Sequence, residues 1–321
     1  MYTNDQRKVV LVGTGMVGMS YAYALLNQPI CNELVLIDID KQKAEGEAMD
    51  LSHGLPFASS HMKIRAGEYA DCADADLAVI CAGVAQKPGE SRLDLMQRNA
   101  EVLRSIIGPI VSAGFNGIFL AATNPVDIIT HIIRDLSGFP AERVIGSGTT
   151  LDSARLRYMI GDYFKVDPRN VHAYVIGEHG DSEFVPWSQA MISTKSVLEL
   201  CGEMEAMEKG CRFCDLENIG DQVRTSAQKI IAAKKATYYG IGMALVRITK
   251  AIFNDENSVL TVSVLTSGEY GIEDVYLGLP AVLNRSGVRR VLRLNLADEE
   301  VEKLQRSAAT LREFYAGLRI A

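Results

Sequence analysis

Short apolar runs, rich in β-branched residues, recur along the first half of the chain, and between most of them apolar residues return with helical spacing. The runs predict strands at Lys8–Val12, Glu33–Ile37, 61–66, 77–82, 117–122 and Val144–Gly146. Strands that alternate with helices form parallel βαβ units. The pattern therefore predicts a complete doubly wound parallel sheet within the first 150 residues.

The pattern changes after Ser147. It predicts a helix at 149–163, short β-like runs at 171–176 and 259–264, long helices near 203–215 and 219–252, and a C-terminal helix. We therefore predict an α/β protein in which a sheet domain, 1–147, is followed by an α+β domain, 148–321. Since no linker rich in Pro, Gly or Ser separates the two, we expect them to pack as one unit.

Composition and charge narrow the class of protein. The 321 residues are 48% hydrophobic and 23% charged, as in an ordinary globular protein, and the net charge of −7 argues against non-specific nucleic-acid binding. The uncharged stretch 105–126 is interrupted by Gly108, Pro109, Gly114, Asn116 and Gly117. It is predicted to form a helix end, a turn and a buried strand, so no membrane span is expected.

The cysteines and the N-terminal residues bear on the compartment. The six cysteines are scattered, several of them in apolar runs typical of reduced buried thiols, and no basic and apolar leader pattern opens the sequence. Both observations favour the cytosol. Cys211 and Cys214 form a single C-x-x-C without a second pair or a histidine at ligand spacing, so no metal site is predicted.

A glycine-rich motif follows the first predicted strand and opens a helical pattern, the context in which G-x-G-x-x-G indicates dinucleotide binding. Its candidate cofactor-binding residues are Gly13, Gly15, Met16, Val17 and Gly18. Asp38 lies twenty residues later, at the end of the second strand, where an acid accepts hydrogen bonds from the adenosine ribose. Because a carboxylate there would repel a 2′-phosphate, the motif favours NAD over NADP.

Several polar residues at predicted strand and helix ends are candidates for chemistry. His179 lies between glycines after the run 171–176, and histidine can gain or lose a proton near neutral pH. Arg92 lies in a loop flanked by Gly83 and Gly89 that either closes over a site or is an ordinary surface loop. Asp152 and Arg155 share a helix face, which indicates either a local salt bridge or a pair directed at His179 and a substrate carboxylate.

Six motifs together carry a specific resemblance: GTGMVG, AQKPGESRLDL, TNPVD, GTTLDSARLR, GEHGDSE and ATYYGIG. Over essentially its whole length the sequence is similar to the lactate/malate dehydrogenase family, and within it most similar to the bacterial L-lactate dehydrogenases. The resemblance implies an NAD-binding Rossmann sheet, an α+β catalytic domain, a homotetramer, and reversible reduction of pyruvate to L-lactate by NADH.

The resemblance also implies a role for each matching residue. His179 resembles the proton donor to the pyruvate carbonyl, Asp152 the carboxylate that orients it, and Arg155 the clamp on the substrate carboxylate. Arg92 resembles the loop arginine that polarises the carbonyl. Asn124, Ser147 and Thr237 resemble groups that place the nicotinamide amide and the substrate, and Ile241 resembles the apolar residue behind the nicotinamide ring. Gly83 is a further candidate cofactor-binding residue.

Gln86 distinguishes the possible substrates. Malate dehydrogenases of the family carry an arginine at this loop position, which pairs the second carboxylate of oxaloacetate. A neutral side chain favours pyruvate, with a bulkier branched 2-oxo acid or oxaloacetate as alternatives. A non-catalytic NAD-binding relative is a further alternative, which the presence of His179, Asp152, Arg155 and Arg92 disfavours.

Arg157 and His172 are candidates for an allosteric anion site. Arg157 lies two positions beyond Arg155 and so points away from the substrate face, while His172 opens the run that leads to His179. In family members activated by fructose 1,6-bisphosphate, the matching arginine and histidine line an effector site between subunits. The resemblance therefore implies fructose 1,6-bisphosphate as an effector, although two unrelated surface residues would show the same spacing.

Overall fold

Six parallel strands form one side of a large sheet in a computed structural model. The structure describes residues 7–59, 61–84, 89, 92–206 and 212–318, with Arg92 described by its backbone alone. The strands are β1 Lys8–Val12, β2 Glu33–Ile37, β3 Lys63–Ala66, β4 Leu77–Ile80, β5 Ile118–Ala121 and β6 Val144–Gly146. Their order across the sheet is 3-2-1-4-5-6, which confirms the predicted doubly wound topology. Their apolar residues are almost all buried, as expected of parallel strands covered on both faces.

Helices connect these strands and pack on the sheet. They are α1 Met16–Leu26, α2 Lys41–Gly54, α3 Arg92–Ser112 and α4 Val126–Ser137. The helix end, turn and buried strand predicted within 105–126 are all present, since α3 continues through Pro109 to Ser112 and β5 begins at Ile118. Ile106, Ile107 and Ile110 are buried around this proline, so tertiary packing outweighs the one backbone hydrogen bond that proline cannot donate.

The second half of the chain extends the same sheet with antiparallel strands. Its helices are α5 Thr150–Phe164, α6 Val197–Ala206, α7 Phe213–Lys234, α8 Tyr239–Phe253 and α9 Asp298–Ala316. Three short strands, β7 Val171–His172, β8 Met191–Ile192 and β9 Lys195–Ser196, form a small separate sheet. The long strands β10 Ser258–Glu269 and β11 Ile272–Asn284, followed by β12 Gly287–Val291, join the main sheet where Ser263 pairs with Gly146.

Some predicted boundaries in this half are wrong. The helix predicted at 219–252 is two helices, since Lys235 adopts a left-handed conformation, with φ 75°, that ends α7. The helix predicted near 203–215 overlaps the end of α6 and the start of α7, and 207–211 lie outside the described residues. Only the first two residues of the run 171–176 form a ladder, whereas β10 is longer than predicted and β11 is strongly apolar without having been predicted.

Two hydrophobic clusters fill the interior. The larger joins the central sheet to α1, α3, α4, α8 and the antiparallel strands, and the smaller packs α5 and α7 around the β7 segment. Cys31 and Cys72 are buried free thiols, as their apolar surroundings predict, whereas Cys201 is disulfide-bonded, which the sequence pattern does not indicate. Within the described ranges, every helix is too short or too polar to cross a bilayer.

Candidate active site

The predicted cofactor-binding residues lie along the carboxyl edge of the parallel strands, where open α/β sheets bind ligands. Gly13 follows β1 with φ 102°, a conformation that favours glycine, and an added Cβ would press on the backbone of Ala82. A Cβ on Gly18 would collide with the Gly13 carbonyl oxygen, so this glycine allows α1 to pack closely on β1. A Cβ on Gly15 would meet no atom within 4 Å, and open space therefore lies above the N-terminus of α1.

Asp38 is held in place at the end of β2 by the glycine-rich turn. Its Oδ2 accepts hydrogen bonds from the backbone amide of Thr14 at 2.7 Å and from the Thr14 hydroxyl at 2.8 Å, and the Asp40 amide donates to its Oδ1 at 3.1 Å. Partial burial disfavours the charged carboxylate, but these donors outweigh burial and lower its pKa. An ionised acceptor next to an uncapped helix N-terminus fits the ribose and pyrophosphate of a dinucleotide.

His179 lies in a short loop that is closed at both ends by backbone pairing. Ile176 and Phe184 pair with each other, with N···O distances of 3.0 and 3.1 Å, and Gly177 exchanges hydrogen bonds with Gly278 of β11. The next amide, of Glu178, donates to the Ser307 hydroxyl of α9 at 2.8 Å. The loop is therefore fixed by its own paired ends and by β11 and α9, which lie much later in the chain.

The first turn of α5 brings Asp152 to His179. The Thr149 hydroxyl donates to the Val175 carbonyl at 2.6 Å, and the Val175 amide donates to the Ser153 hydroxyl at 2.9 Å. Asp152, which is 1% exposed, places Oδ2 2.7 Å from His179 Nδ1 and accepts from Arg155 Nη1 on Oδ1 at 2.7 Å. The predicted salt bridge and the predicted contact with His179 are thus both present.

The charges of this cluster favour an imidazolium. Burial alone would lower the pKa of His179, but the charge and hydrogen bond of Asp152, together with the charges of Glu183 and Asp127, outweigh burial and raise it to about 9. Burial would likewise raise the pKa of Asp152, and the charges of His179 and Arg155 hold it below its usual value instead. His179 therefore carries a proton at neutral pH, beside an ionised aspartate.

Asp127, from the first turn of α4, supports His179 from its backbone side. Its Oδ2 accepts the His179 amide at 2.8 Å, and its Oδ1 accepts the Ser263 hydroxyl of β10 at 2.5 Å. Burial raises the pKa of this carboxyl to about 6, and the two hydrogen bonds oppose that shift. Asp127 belongs to the TNPVD motif, but the sequence alone gave it no role.

A cavity of about 270 Å³ opens beside the histidine. Its polar walls include Asn124, Arg155 and His179, and its apolar walls include Leu95, Met96 and Ala227. A space of this size suits a small organic acid, with the guanidinium and the imidazole on one side and apolar groups on the other. Gln86, which was predicted to meet the third carbon of the substrate, lies outside the described residues, as does the side chain of Arg92.

The remaining predicted site residues differ in how deeply they are buried. Ser147 is buried at the end of β6 and donates its amide to the Ala121 carbonyl at 2.8 Å, while Gly83 follows β4 closely packed on Thr123. Thr237 and Ile241 are half-buried on either side of the start of α8. Arg157 and His172 stand apart from the cavity, on α5 and β7.

Both halves of the chain match family models. Residues 7–146 match the model described as lactate/malate dehydrogenase, NAD binding domain, and 149–316 match the model described as lactate/malate dehydrogenase, alpha/beta C-terminal domain. The chain belongs to the lactate/malate dehydrogenase family. The expected fold class is thereby confirmed, and the glycine-rich turn lies in the part that matches the family's NAD-binding domain.

Individual relatives support the same assignment within the lactate/malate dehydrogenase family. The chain is 55% identical to the L-lactate dehydrogenase of Priestia megaterium, over 97% of this chain and 96% of the relative. A lactate dehydrogenase from a Medee basin deep-sea metagenome library superposes with a TM-score of 0.94 at 56% identity, covering 97% and 98% of the two chains. The ligand-bound minor L-lactate dehydrogenase of Enterococcus mundtii gives a TM-score of 0.95 at 45% identity, covering 99% and 100%.

Glu183 is a second acid beside the histidine that has no role in the family resemblance drawn from the sequence. It is 6% exposed and places Oε2 3.9 Å from His179 Nδ1. Asp152, His179 and Glu183 have the donor types of a metal site, with ligand atoms within 4.8 Å of one another. The Arg155 guanidinium already supplies the positive charge beside Asp152, which favours acid–base chemistry over cation binding.

Proposed function

We propose that this chain is an L-lactate dehydrogenase that reduces pyruvate to L-lactate with NADH and catalyses the reverse oxidation. The observation that carries the proposal is the bonding of both Asp152 oxygens, one to His179 and one to Arg155, each at 2.7 Å, beside a small cavity. The names of the relatives at 55% identity support the same activity.

Different residues of the cavity would bind the carboxylate of a 2-oxo acid and protonate its carbonyl oxygen. The Nδ1–H of His179 is committed to Asp152, so the proton on Nε2 is the one available to the substrate carbonyl oxygen. Arg155 uses one donor for Asp152 and retains others in a planar fork that suits a carboxylate. When bound, NADH supplies the hydride that reduces the carbonyl carbon.

The surrounding residues place the reactants. We assign Asn124, Ser147 and Thr237 to positioning the nicotinamide amide and the substrate, and Ile241 to the apolar side of the nicotinamide ring. Arg92 is assigned to polarising the carbonyl as negative charge develops there, since a guanidinium aimed at that oxygen stabilises the transition state. Gly13, Gly15, Met16, Val17, Gly18 and Gly83 are assigned to binding the dinucleotide.

Asp38 supports a preference for NAD over NADP. The Thr14 and Asp40 donors keep its carboxylate ionised and fixed in position. It can accept hydrogen bonds from the ribose hydroxyls, whereas a 2′-phosphate would meet a like charge. We expect a much lower kcat/KM with NADPH than with NADH, and equal values would remove this role from Asp38.

Gln86 provides the test of substrate class. A second carboxylate enclosed without a cationic partner costs about 3–5 kcal/mol, so pyruvate should be reduced hundreds of times or more faster than oxaloacetate. NADH oxidation should be measured with pyruvate, oxaloacetate and a branched 2-oxo acid, for the wild type and for Gln86→Arg. The variant should move kcat/KM towards oxaloacetate.

Gln86→Glu is the charge control for this experiment, because it alters the same loop position without offering a cation. It should not gain activity on oxaloacetate. Wild-type preference for oxaloacetate or for the branched acid would replace pyruvate as the assigned substrate. No oxidation of NADH with any of the three acids would favour a non-catalytic relative.

We further propose that the protein is a homotetramer activated by fructose 1,6-bisphosphate bound near Arg157 and His172. Within the described residues the buried Nε of Arg157 has no hydrogen-bond partner, and His172 is exposed. Burial raises the pKa of the Tyr174 hydroxyl and the Arg157 charge opposes that shift, so Arg157 lies near the segment that carries His172. An anion there would act on the elements that hold Arg155 and His179.

The effector proposal is tested by pyruvate saturation curves with and without millimolar fructose 1,6-bisphosphate, together with the molar mass by light scattering. The effector should lower the KM for pyruvate in the wild type and favour the tetramer, while Arg157→Gln should remove both effects. Superimposable wild-type curves at acidic and neutral pH would contradict the proposal. Activation that survives Arg157→Gln would place the effector elsewhere.

A further inference from the structure

Glu183 stands in the wall between two cavities. It lines the cavity of about 270 Å³ that holds His179 and Arg155, and it also lines a cavity of about 290 Å³ between the His179 loop and α7. Arg224 of α7 is the other charged residue that lines both. The carboxyl of Glu183 therefore lies where a charge would act directly on the substrate cavity.

In the part of the chain that the structure describes, one oxygen of the Glu183 carboxyl lacks the donors that would stabilise a buried charge. Among the described residues, its Oε2 has no hydrogen-bond partner although it is buried. Among the described side chains the nearest cationic nitrogen is His179 Nδ1 at 3.9 Å, and that nitrogen has a single hydrogen, which Asp152 accepts at 2.7 Å. An ionised Glu183 would thus be a buried anion without a hydrogen bond on that oxygen.

A second carboxylate close by makes ionisation harder still. One carboxyl oxygen of Asp152, one of Glu183 and a ring nitrogen of His179 all lie within 4.8 Å of one another. Two acids at this separation share protons unequally, and Asp152 keeps the charge because both His179 and Arg155 bond to it. The proton of the pair therefore belongs to Glu183.

Several charged groups surround Glu183, and four of them act on its pKa. Burial and the Asp152 charge raise the pKa of Glu183 to about 8, and the charges of His179, Arg155 and Arg224 oppose that shift. On the far side, Glu217 and Asp221 of α7 and Lys303 of α9 line the second cavity. Asp127 acts on His179 from α4, where it contributes to the raised pKa of the imidazole.

We propose that Glu183 is a positioning residue that must keep its proton for the 2-oxo acid carboxylate to bind well beside Arg155 and His179. The inference rests on the proposed reduction of pyruvate. With Glu183 neutral, His179, Arg155 and Asp152 together carry one net positive charge, which attracts an anionic substrate. When Glu183 ionises, that net charge is cancelled, so the affinity for the substrate falls before His179 itself loses its proton.

The proposal predicts the shape of the alkaline side of the pH profile. If two groups must be protonated, log kcat/KM for pyruvate falls with a limiting slope steeper than −1, approaching about −2 above the pKa values of both groups. Glu183→Gln is isosteric and neutral at every pH, so its slope should be about −1, from His179 alone. Loss of Glu183 also lowers the pKa of His179, which moves the limb along the pH axis but leaves its slope unchanged.

The experiment compares kcat and KM for pyruvate between pH 6 and 10 in the wild type, Glu183→Gln and Glu217→Gln. Glu217→Gln is the matched control, because it removes an exposed carboxylate from the same α7 cavity and should keep the steep wild-type limb. The difference between wild type and Glu183→Gln should lie in KM, which rises from about pH 8 only where Glu183 can ionise.

A binding measurement tests the same proposal without turnover, so it can be used even if Glu183→Gln reduces pyruvate slowly. Oxamate, a non-reducible pyruvate analogue, is bound to the NADH complex near pH 9, and the protons taken up are counted with a pH indicator. The wild type should take up measurably more protons than Glu183→Gln. Equal uptake, or slopes of about −1 in both proteins, would overturn the inference. Absence of pyruvate reduction by the wild type at any pH would instead overturn the proposed function.

Discussion

At the scale of single residues, the site depends on how one aspartate is shared. Asp152 is almost fully buried, and its two oxygens bond to His179 and Arg155. The ionised Asp152 carboxylate therefore holds both His179 and Arg155, and the positive charge of each helps to keep that carboxylate ionised. A change at Asp152 should alter both the proton on His179 and the orientation of Arg155.

Asp152→Asn tests this sharing. The amide keeps the shape but removes the charge that most raises the pKa of His179, so burial should dominate and lower that pKa. We expect the alkaline limb of kcat/KM for pyruvate to move to lower pH by about 1–3 units, with a large loss of kcat at neutral pH. The measurement is the pH profile of pyruvate reduction, with NADH affinity by fluorescence as the control. An unmoved limb would mean that Asp152 does not set the protonation of His179.

The motifs predicted His179, Asp152 and Arg155 as a group, and the structure brings them together. Asp127 and Glu183 stood in quoted motifs yet received no role. What distinguishes them is burial, and their burial depends on partners far away in the chain, such as Ser263 for Asp127. No local sequence pattern shows that a carboxylate will be buried against a strand that lies 136 positions later in the chain.

At the scale of elements, the cofactor side depends on how closely α1 approaches β1. Gly18 faces the Gly13 carbonyl, and Gly15 faces open space, although both glycines belong to one motif. The motif therefore contains two separable functions, packing of the helix and access for the ligand. The strands and helices of the first half could be predicted from the apolar pattern, because each buried strand is short and bounded by polar residues.

Gly18→Ala and Gly15→Ala should separate these functions. The Cβ at position 18 would force α1 away from β1, at a cost of about 1–3 kcal/mol of unfolding free energy, and so lower the melting temperature. The Cβ at position 15 meets no protein atom and should leave the melting temperature nearly unchanged while weakening NADH binding. Thermal unfolding and NADH titration check both. Equal destabilisation by the two changes would contradict the assignment.

Boundaries in the second half were harder to predict for a physical reason. The apolar pattern of α7 and α8 continues across their junction, and only the left-handed Lys235 ends the first helix. Lysine has no special preference for that conformation, so tertiary packing decides the break. The strand β11 is buried along most of its length and lacks the alternation that marks a half-exposed strand.

At the scale of the whole molecule, the two sequence halves share a sheet and an interface. β6 of the first half pairs with β10 of the second, and Gly242 of α8 lies against the backbone of Ser20 in α1. Tyr21 and Thr249 are hydrogen-bonded at 3.0 Å across the same contact. The halves should therefore unfold together.

Trp187, the one tryptophan of the sequence, lies in the second half and reports on this coupling. Its fluorescence transition on heating should coincide with the loss of helical circular dichroism. NADH, which we assign to the half that matches the NAD-binding domain, should raise the midpoint of both transitions by the same amount. Two separate transitions, or a Trp187 fluorescence midpoint that NADH does not raise, would show that the halves unfold independently.

The closed loop around His179 also has a consequence for exchange with solvent. Its amides are bonded to acceptors from α4, α9, β11 and the loop itself: Gly177 to Gly278, Glu178 to Ser307, His179 to Asp127, Glu183 to Gly180 and Phe184 to Ile176. Loops usually exchange their amide hydrogens quickly. In deuterium, this one should exchange as slowly as the core strands, even without ligand, and Asp127→Ala should release it. His179 would then already be in its final position before the substrate binds, and substrate binding would not have to order the loop.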